Sequence, residues 1–138
     1  MTYDPQVQAL LDELIASARP SSKSLPLDQG RRSFAELLAS LMATAEVAAV
    51  EDRGIPGPVG DLRIRIYRPV RAERLPVVVY FHGGGWVFGD LETHDGVCRQ
   101  LAGASRALVV GVDYRRPPES RFPEPVDDCY AATRWVYE

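Results

Sequence analysis

Residues 82–86 read His82-Gly83-Gly84-Gly85-Trp86 and follow directly on the apolar run Pro76-Val77-Val78-Val79-Tyr80-Phe81. Glycine loses more backbone entropy on folding than any other residue, so three in a row are a poor choice for stability. Something at this position requires bare backbone. A loop at the carboxyl end of a parallel strand is where open α/β sheets bind ligands, and glycine lets a substrate oxygen come close to peptide N–H groups. Pointed inward, such donors form an oxyanion hole, which stabilises the negative oxygen of a tetrahedral intermediate by ~2.7–4 kcal/mol per donor. A tight turn with several positive φ angles is the plainer alternative. A phosphate cradle fits less well, because G-x-G-x-x-G would need glycine where Phe88 stands and a P-loop would end in Gly-Lys-Ser/Thr.

The elements that must carry this loop can be read from hydrophobic period. Val7, Leu10, Leu11, Leu14, Ile15 and Ala18 recur at helical spacing, with Asp4 as N-cap, Pro5 at the first helical position and Arg19-Pro20 as the stop. Residues 20–30, with two prolines and three serines, predict a loop. A second helix follows, with Phe34, Leu37, Leu38, Leu41, Met42 and Ala45 on one stripe. Ordinary packing on the body of the domain and a lid over a site would both cover these two apolar faces.

Beyond residue 47 the period changes to two. Leu62, Ile64 and Ile66 alternate with Arg63, Arg65 and Tyr67, a strand with one wet face, and the turn-rich stretch Gly54 to Asp61 predicts a hairpin with Val47 to Arg53. The run 76–81 reads as a strand buried on both faces. A helix from Thr93 to Ser105 and a second apolar strand, Ala107-Leu108-Val109-Val110-Gly111-Val112, complete a βαβ unit, hence a parallel pair with a right-handed crossover. From Pro123 to Glu138 a last helix begins with acids, and Val126, Cys129, Tyr130, Thr133, Val136 and Tyr137 share one face.

The blocks His82 to Trp86, Gly89-Asp90-Leu91-Glu92-Thr93-His94-Asp95 and Asp113-Tyr114-Arg115-Arg116-Pro117-Pro118-Glu119, with Phe122-Pro123 after them, resemble the HGGG-type, hormone-sensitive-lipase-like esterases and lipases of the α/β-hydrolase superfamily, and more narrowly its bacterial carboxylesterases. Arg116-Pro117 departs from the leucine-alanine usual after Tyr-Arg. The resemblance implies an α/β fold: a mostly parallel sheet after an antiparallel hairpin, over residues 46–138, preceded by two cap-type helices in a lid segment, 1–45. It implies backbone donors at Gly83, Gly84 and Gly85, a pocket wall shaped by Trp86, and loop-structuring roles for His82, Asp113, Tyr114 and Glu119. The function implied is hydrolysis of short- to medium-chain carboxylic esters by serine acyl transfer. A ligand-binding protein on the same scaffold, as the plant gibberellin receptors are, is the alternative.

Such chemistry uses a serine in G-x-S-x-G, then an acid and a histidine in that order. These do not occur here. Gly103-Ala104-Ser105-Arg106-Ala107 lacks the last glycine and sits at a helix end before a strand, so Ser105 is expected to be a helix-terminal residue. His94, only twelve residues after His82, reads as a helix-start polar residue. The chain therefore resembles the first half of such an enzyme, inactive by itself. A strand at 76–81 without its usual neighbour would be a sheet edge, open to a complementing chain or to self-association.

Composition narrows the rest. With 46% hydrophobic and 25% charged residues and a net charge of -3, the sequence suits one globular domain and lacks the basic stripe nucleic acid requires. The 16 basic residues are nearly all arginine and scattered among acids, which reads as solvated surface. Cys98 and Cys129 have no partner in sequence and read as small buried hydrophobes. No metal-ligand spacing and no cofactor motif is present, the start Met1-Thr2-Tyr3-Asp4-Pro5 is unlike a signal peptide, and no apolar run is long enough to span a membrane. A cytoplasmic protein acting on a small-molecule ester is the expectation.

Overall fold

The computed structural model describes residues 3–18, 20–42 and 44–138. Met1, Thr2, Arg19 and Ala43 lie outside it, and with them the expected stop at Arg19 and the first two residues of the start sequence. Among the described residues, four α-helices and four strands occur in the order α1 (Pro5–Ala16), α2 (Leu27–Leu41), β1 (Ala49–Gly57), β2 (Gly60–Arg68), β3 (Val77–Phe81), α3 (Asp95–Ser105), β4 (Leu108–Val112) and α4 (Glu124–Tyr137), with a short 3-10 turn at Ser22–Ser24. None of the described helices is long and apolar enough to cross a membrane.

The sheet has the order β1-β2-β4-β3. β1 and β2 form the expected antiparallel hairpin, from Ala49 opposite Arg68 to Gly57 opposite Gly60. The connection is shorter than expected: Gly54, Ile55 and Pro56 are in the strand, and Pro58 and Val59 make the turn. Ile55 is why the strand continues, since its side chain is 1% exposed in the core with Leu62 and Ile64. β2 pairs antiparallel with β4, and β3 pairs parallel with β4 through the α3 crossover, as a βαβ unit should.

The core lies on both sides of this sheet. Ile64, Val110, Val112 and Tyr114 pack under Ala132 of α4, while Tyr67 and Val109 pack under Cys98 and Ala102 of α3. Cys98 is buried as expected, and Cys129 is half-buried. Burial pushes both thiols up, to about 12 and about 11, so neither is a ready nucleophile.

Four expectations change. β3 is not buried on both faces: Val77 is 47% and Phe81 41% exposed, because β4 is its one neighbour among the described residues. On α4 the expected stripe is buried only in part: Cys129 and Val136 pack against the core, but the most buried positions are others. Pro125, Asp128 and Ala132 face the core, while Val126, Tyr130 and Tyr137 are exposed. Asp128 is drawn inward because its carboxylate accepts from the Arg115 backbone N–H at 2.9 Å and from that guanidinium at 2.8 Å. The second helix starts at Leu27, inside the expected loop, and ends at Leu41, before Met42 and Ala45. Finally, the arginines are not all solvated surface. The Arg65 side chain is 12% exposed and holds Asp52, Glu92 and Asp95 together, joining the hairpin to the segment that precedes α3.

Candidate functional site

The glycine loop leaves β3 at its carboxyl end, where His82 is 4% exposed and acts as the foot of the loop. The His82 ring stacks on Tyr114, 4.2 Å between centroids with the planes 10° apart, and the Tyr114 hydroxyl donates to the His82 carbonyl at 2.5 Å. The His82 Nδ1 lies 3.0 Å from the Gly83 carbonyl, so Nδ1 carries the proton and donates. Burial drives the imidazole down to about 4, which leaves it neutral at physiological pH. The same desolvation pushes the Tyr114 phenol up to about 12. Both residues therefore serve as uncharged props.

Past His82 the chain turns back on itself. Gly84, Gly85 and Trp86 have φ of 127°, 61° and 67°, and Gly89 has 86°. The Phe88 and Val87 amides donate to the Gly84 carbonyl at 2.9 and 3.3 Å, closing the bend. The approach is so close that a Cβ on Gly84 would collide with the Phe88 carbonyl, and one on Gly89 with the Gly83 carbonyl and the His82 ring. Gly85 faces open space instead. Among the described residues, the N–H groups of Gly83, Gly84 and Gly85 donate to no protein atom.

Gly84 and Gly85 form part of the wall of a cavity of about 760 Å³, which Val87 and Phe88 and, from the two N-terminal helices, Leu14, Phe34 and Leu37 also line. α2 is the element that fixes this wall. Its Gly30 is buried, and a Cβ there would stand 2.5 Å from the Ser22 carbonyl and 3.1 Å from the Phe88 ring. Phe34, one turn on, packs on Phe88 at 5.7 Å. Between them, Arg31 donates to the Val87 carbonyl at 3.0 Å and the Pro117 carbonyl at 3.1 Å, and grips Glu119 with both nitrogens at 2.7 and 2.9 Å. That pairing holds the Glu119 carboxyl at about 2.

The far side of the loop is held by Arg116, which donates to the Gly89 carbonyl and lies 3.9 Å from Asp90. The side chain that departs from the family pattern thus ties two loops of the site together. Asp90 and Thr93 bond reciprocally, each backbone N–H to the other's side chain at 2.8 Å, and lead into α3. His94 stands at the N-cap position of that helix, its Nδ1 3.0 Å from the Thr93 hydroxyl.

Of the residues singled out in the sequence, His82, Gly83, Gly84, Gly85 and Tyr114 come together, and Glu119 reaches them through Arg31. Asp113 lies at the end of β4, its N–H donating to the Arg63 carbonyl at 3.0 Å. Burial raises its carboxyl, and Oδ1 has no partner among the described residues. Trp86 is 53% exposed, stands edge-on to Tyr114 at 5.6 Å and is not part of the cavity wall. Ser105 ends α3, its hydroxyl donating to the Leu101 carbonyl at 2.7 Å, away from the loop. Sequence reasoning missed Gly30, Arg31, Phe34 and Phe88. Gly30-Arg31 was the available signal: a glycine just before the pair Arg31-Arg32, at the start of an apolar stripe.

Residues 78–138 match a family model described as alpha/beta hydrolase fold. Over 92 residues the chain is 53% identical to the esterase LipI of Mycobacterium tuberculosis, which covers 64% of this chain and 29% of that protein. Over 136 residues it is 33% identical to the arylesterase of Saccharolobus solfataricus, covering 99% of this chain and 44% of that one. A hyperthermophilic esterase from the archaeon Pyrobaculum calidifontis matches with a TM-score of 0.89 at 45% identity, over 99% of this chain and 44% of its own. The chain thus spans less than half the length of each of these relatives. Motifs, strand order and these likenesses agree, and the chain belongs to the α/β-hydrolase family.

Proposed function

We propose that this chain provides the oxyanion loop and the acyl-side cavity of a carboxylic ester hydrolase that works by serine acyl transfer on short- to medium-chain esters. The observation that carries the reading is the set of unbonded N–H groups at Gly83, Gly84 and Gly85, held beside an apolar cavity by His82, Tyr114 and Arg31. When a serine attacks an ester carbonyl, the oxygen becomes negative, and amides that need no reorganisation stabilise it best. Residues 1–45 act as the cap, since α1 and α2 supply residues that line the cavity together with the glycines. The serine, acid and histidine come from polypeptide other than these 138 residues, and the open edge of β3 is where it would pair. A second copy of the chain can use the same edge. Two unpaired thiols suit a reducing compartment, and we place the protein in the cytoplasm.

The test is hydrolysis of p-nitrophenyl butyrate. The 138-residue chain alone should give no turnover above buffer, and a chimera with the carboxyl-terminal portion of the Pyrobaculum calidifontis esterase should turn the ester over. In the chimera Gly84→Ala should lower kcat by ~10²–10³. A chimera that melts cooperatively yet hydrolyses no ester overturns the reading, as does turnover by the chain alone that Ser105→Ala abolishes.

A further inference from the structure

The cavity beside Gly84 and Gly85 has a second kind of wall. Ser22 and Ser33 line it, on the 3-10 turn and on α2, and both are half-buried. A serine in or beside a helix ordinarily returns its hydroxyl to a carbonyl three or four residues back. Ser17, Ser24, Ser40 and Ser105 all do so, at 2.7 Å, to Leu14, Ser21, Leu37 and Leu101. Ser22 and Ser33 make no such bond and none to another protein atom among the described residues. Each keeps a donor and two lone pairs facing a largely apolar space.

The elements that bear these hydroxyls are tied to the glycine loop. Gly30 lets α2 close onto the Ser22 carbonyl, so the turn bearing Ser22 and the helix bearing Ser33 move as one. Arg31 and Phe34 then fasten that helix to Val87 and Phe88, the arm of the glycine loop. A polar pair that shares one cavity with the glycine loop and with Leu14, Phe34 and Leu37 matches a substrate that carries a second oxygen on a short apolar group. A substrate without that oxygen gives the two half-buried hydroxyls no partner, so the cavity discriminates through the hydrogen bonds that an oxygen-bearing substrate adds.

We infer that the cavity selects esters bearing a hydroxyl or carbonyl oxygen on the chain next to the ester group, through hydrogen bonds to Ser22 and Ser33. This rests on the cavity being the substrate site of the function proposed above, and it is tested by binding alone. Nitrogen-15-labelled chain is titrated with ethyl 3-hydroxybutyrate and, separately, with ethyl butyrate, which lacks the hydroxyl, and the amide signals of Gly84, Gly85 and Phe88 are followed. Ethyl 3-hydroxybutyrate should bind about three- to tenfold more tightly, the worth of one or two neutral hydrogen bonds. The double variant Ser22→Ala, Ser33→Ala should remove that difference by weakening ethyl 3-hydroxybutyrate, with ethyl butyrate bound no more weakly than by the parent chain. Equal affinities in the parent chain, or a preference that survives in the double variant, overturn the inference while leaving ester binding intact. If neither ester moves these amides, the inference and the cavity's role as substrate site fall together, whereas the chimera's hydrolysis of p-nitrophenyl butyrate is judged separately.

Discussion

Arg31 and Glu119, 88 residues apart in sequence, meet through two parallel contacts of 2.7 and 2.9 Å, and the same guanidinium reaches the Val87 carbonyl beside the glycine loop. One side chain on α2 therefore joins the N-terminal helices, the oxyanion loop and the loop after β4. A planar fork suits this task, since it can satisfy a carboxylate and two carbonyls at once.

Arg31→Ala should lower the melting temperature by roughly 5 °C, because leaving two partly buried carbonyls without their donor costs about 1–2 kcal/mol. Glu119→Gln should lower it less, because its carboxylate is exposed and the hydrogen bonds to the carbonyls remain. Circular dichroism melts check the order. Arg31→Lys should behave like the alanine variant, as an ammonium cannot span three acceptors.

Gly84→Ala and Gly85→Ala should differ although both residues have positive φ. At Gly85 the added methyl meets open space, and the cost is the left-handed conformation alone, about 1–2 kcal/mol. At Gly84 it meets the Phe88 carbonyl, so the bend must open and the cost should be about 3 kcal/mol or more. Urea unfolding midpoints measure both. Similar values would mean that the close approach of residues 84 and 88 is not maintained in solution.

His82 makes stability depend on pH. Its folded-state value of about 4 lies below the ordinary 6.5, so between these limits the unfolded chain binds more protons than the folded one. Stability is then complete above pH 6.5 and falls as pH drops from 6.5 towards 4, by about 2 kcal/mol once partial solvent screening is allowed for. His94, also lowered by burial, adds loss of the same sign. Denaturant midpoints at pH 7.5 and 5 should therefore differ, and His82→Gln should shrink that difference without abolishing it.

The free side of β3, with Val77 and Phe81 exposed, offers unpaired backbone groups to any similar strand. Sedimentation of the chain should report mass that rises with concentration, and Val77→Lys should suppress the rise. A monomer at all concentrations would mean that the edge is protected in another way.

Local chemistry makes much of this protein readable from its residues alone. Asp4 before Pro5 predicts the cap of α1, and its carboxylate does accept from the Gln6 amide at 2.8 Å. Alternation from Leu62 to Ile66 sets strand period and face, the apolar run at 77–81 marks a strand, and one helix between two apolar runs leaves a parallel pair as the simplest arrangement. The tripled glycine marked the loop in which Gly84 and Gly85 take positive φ and Gly84 leaves no room for a Cβ. These signals are legible because each depends on neighbours a few residues away.

Tertiary contacts decided the rest. That Gly30 lies within a helix follows from how closely Ser22 and Phe88 approach it, and nothing in residues 20–30 reports that distance. That Asp128 turns inward and Tyr130 outward on α4 depends on Arg115 arriving from another loop. Whether an arginine is solvated or clamps a site depends on a partner such as Glu119, dozens of residues away. Periodicity reports which residues share a face, but burial belongs to pairs of faces, and the sequence alone does not state which pairs meet.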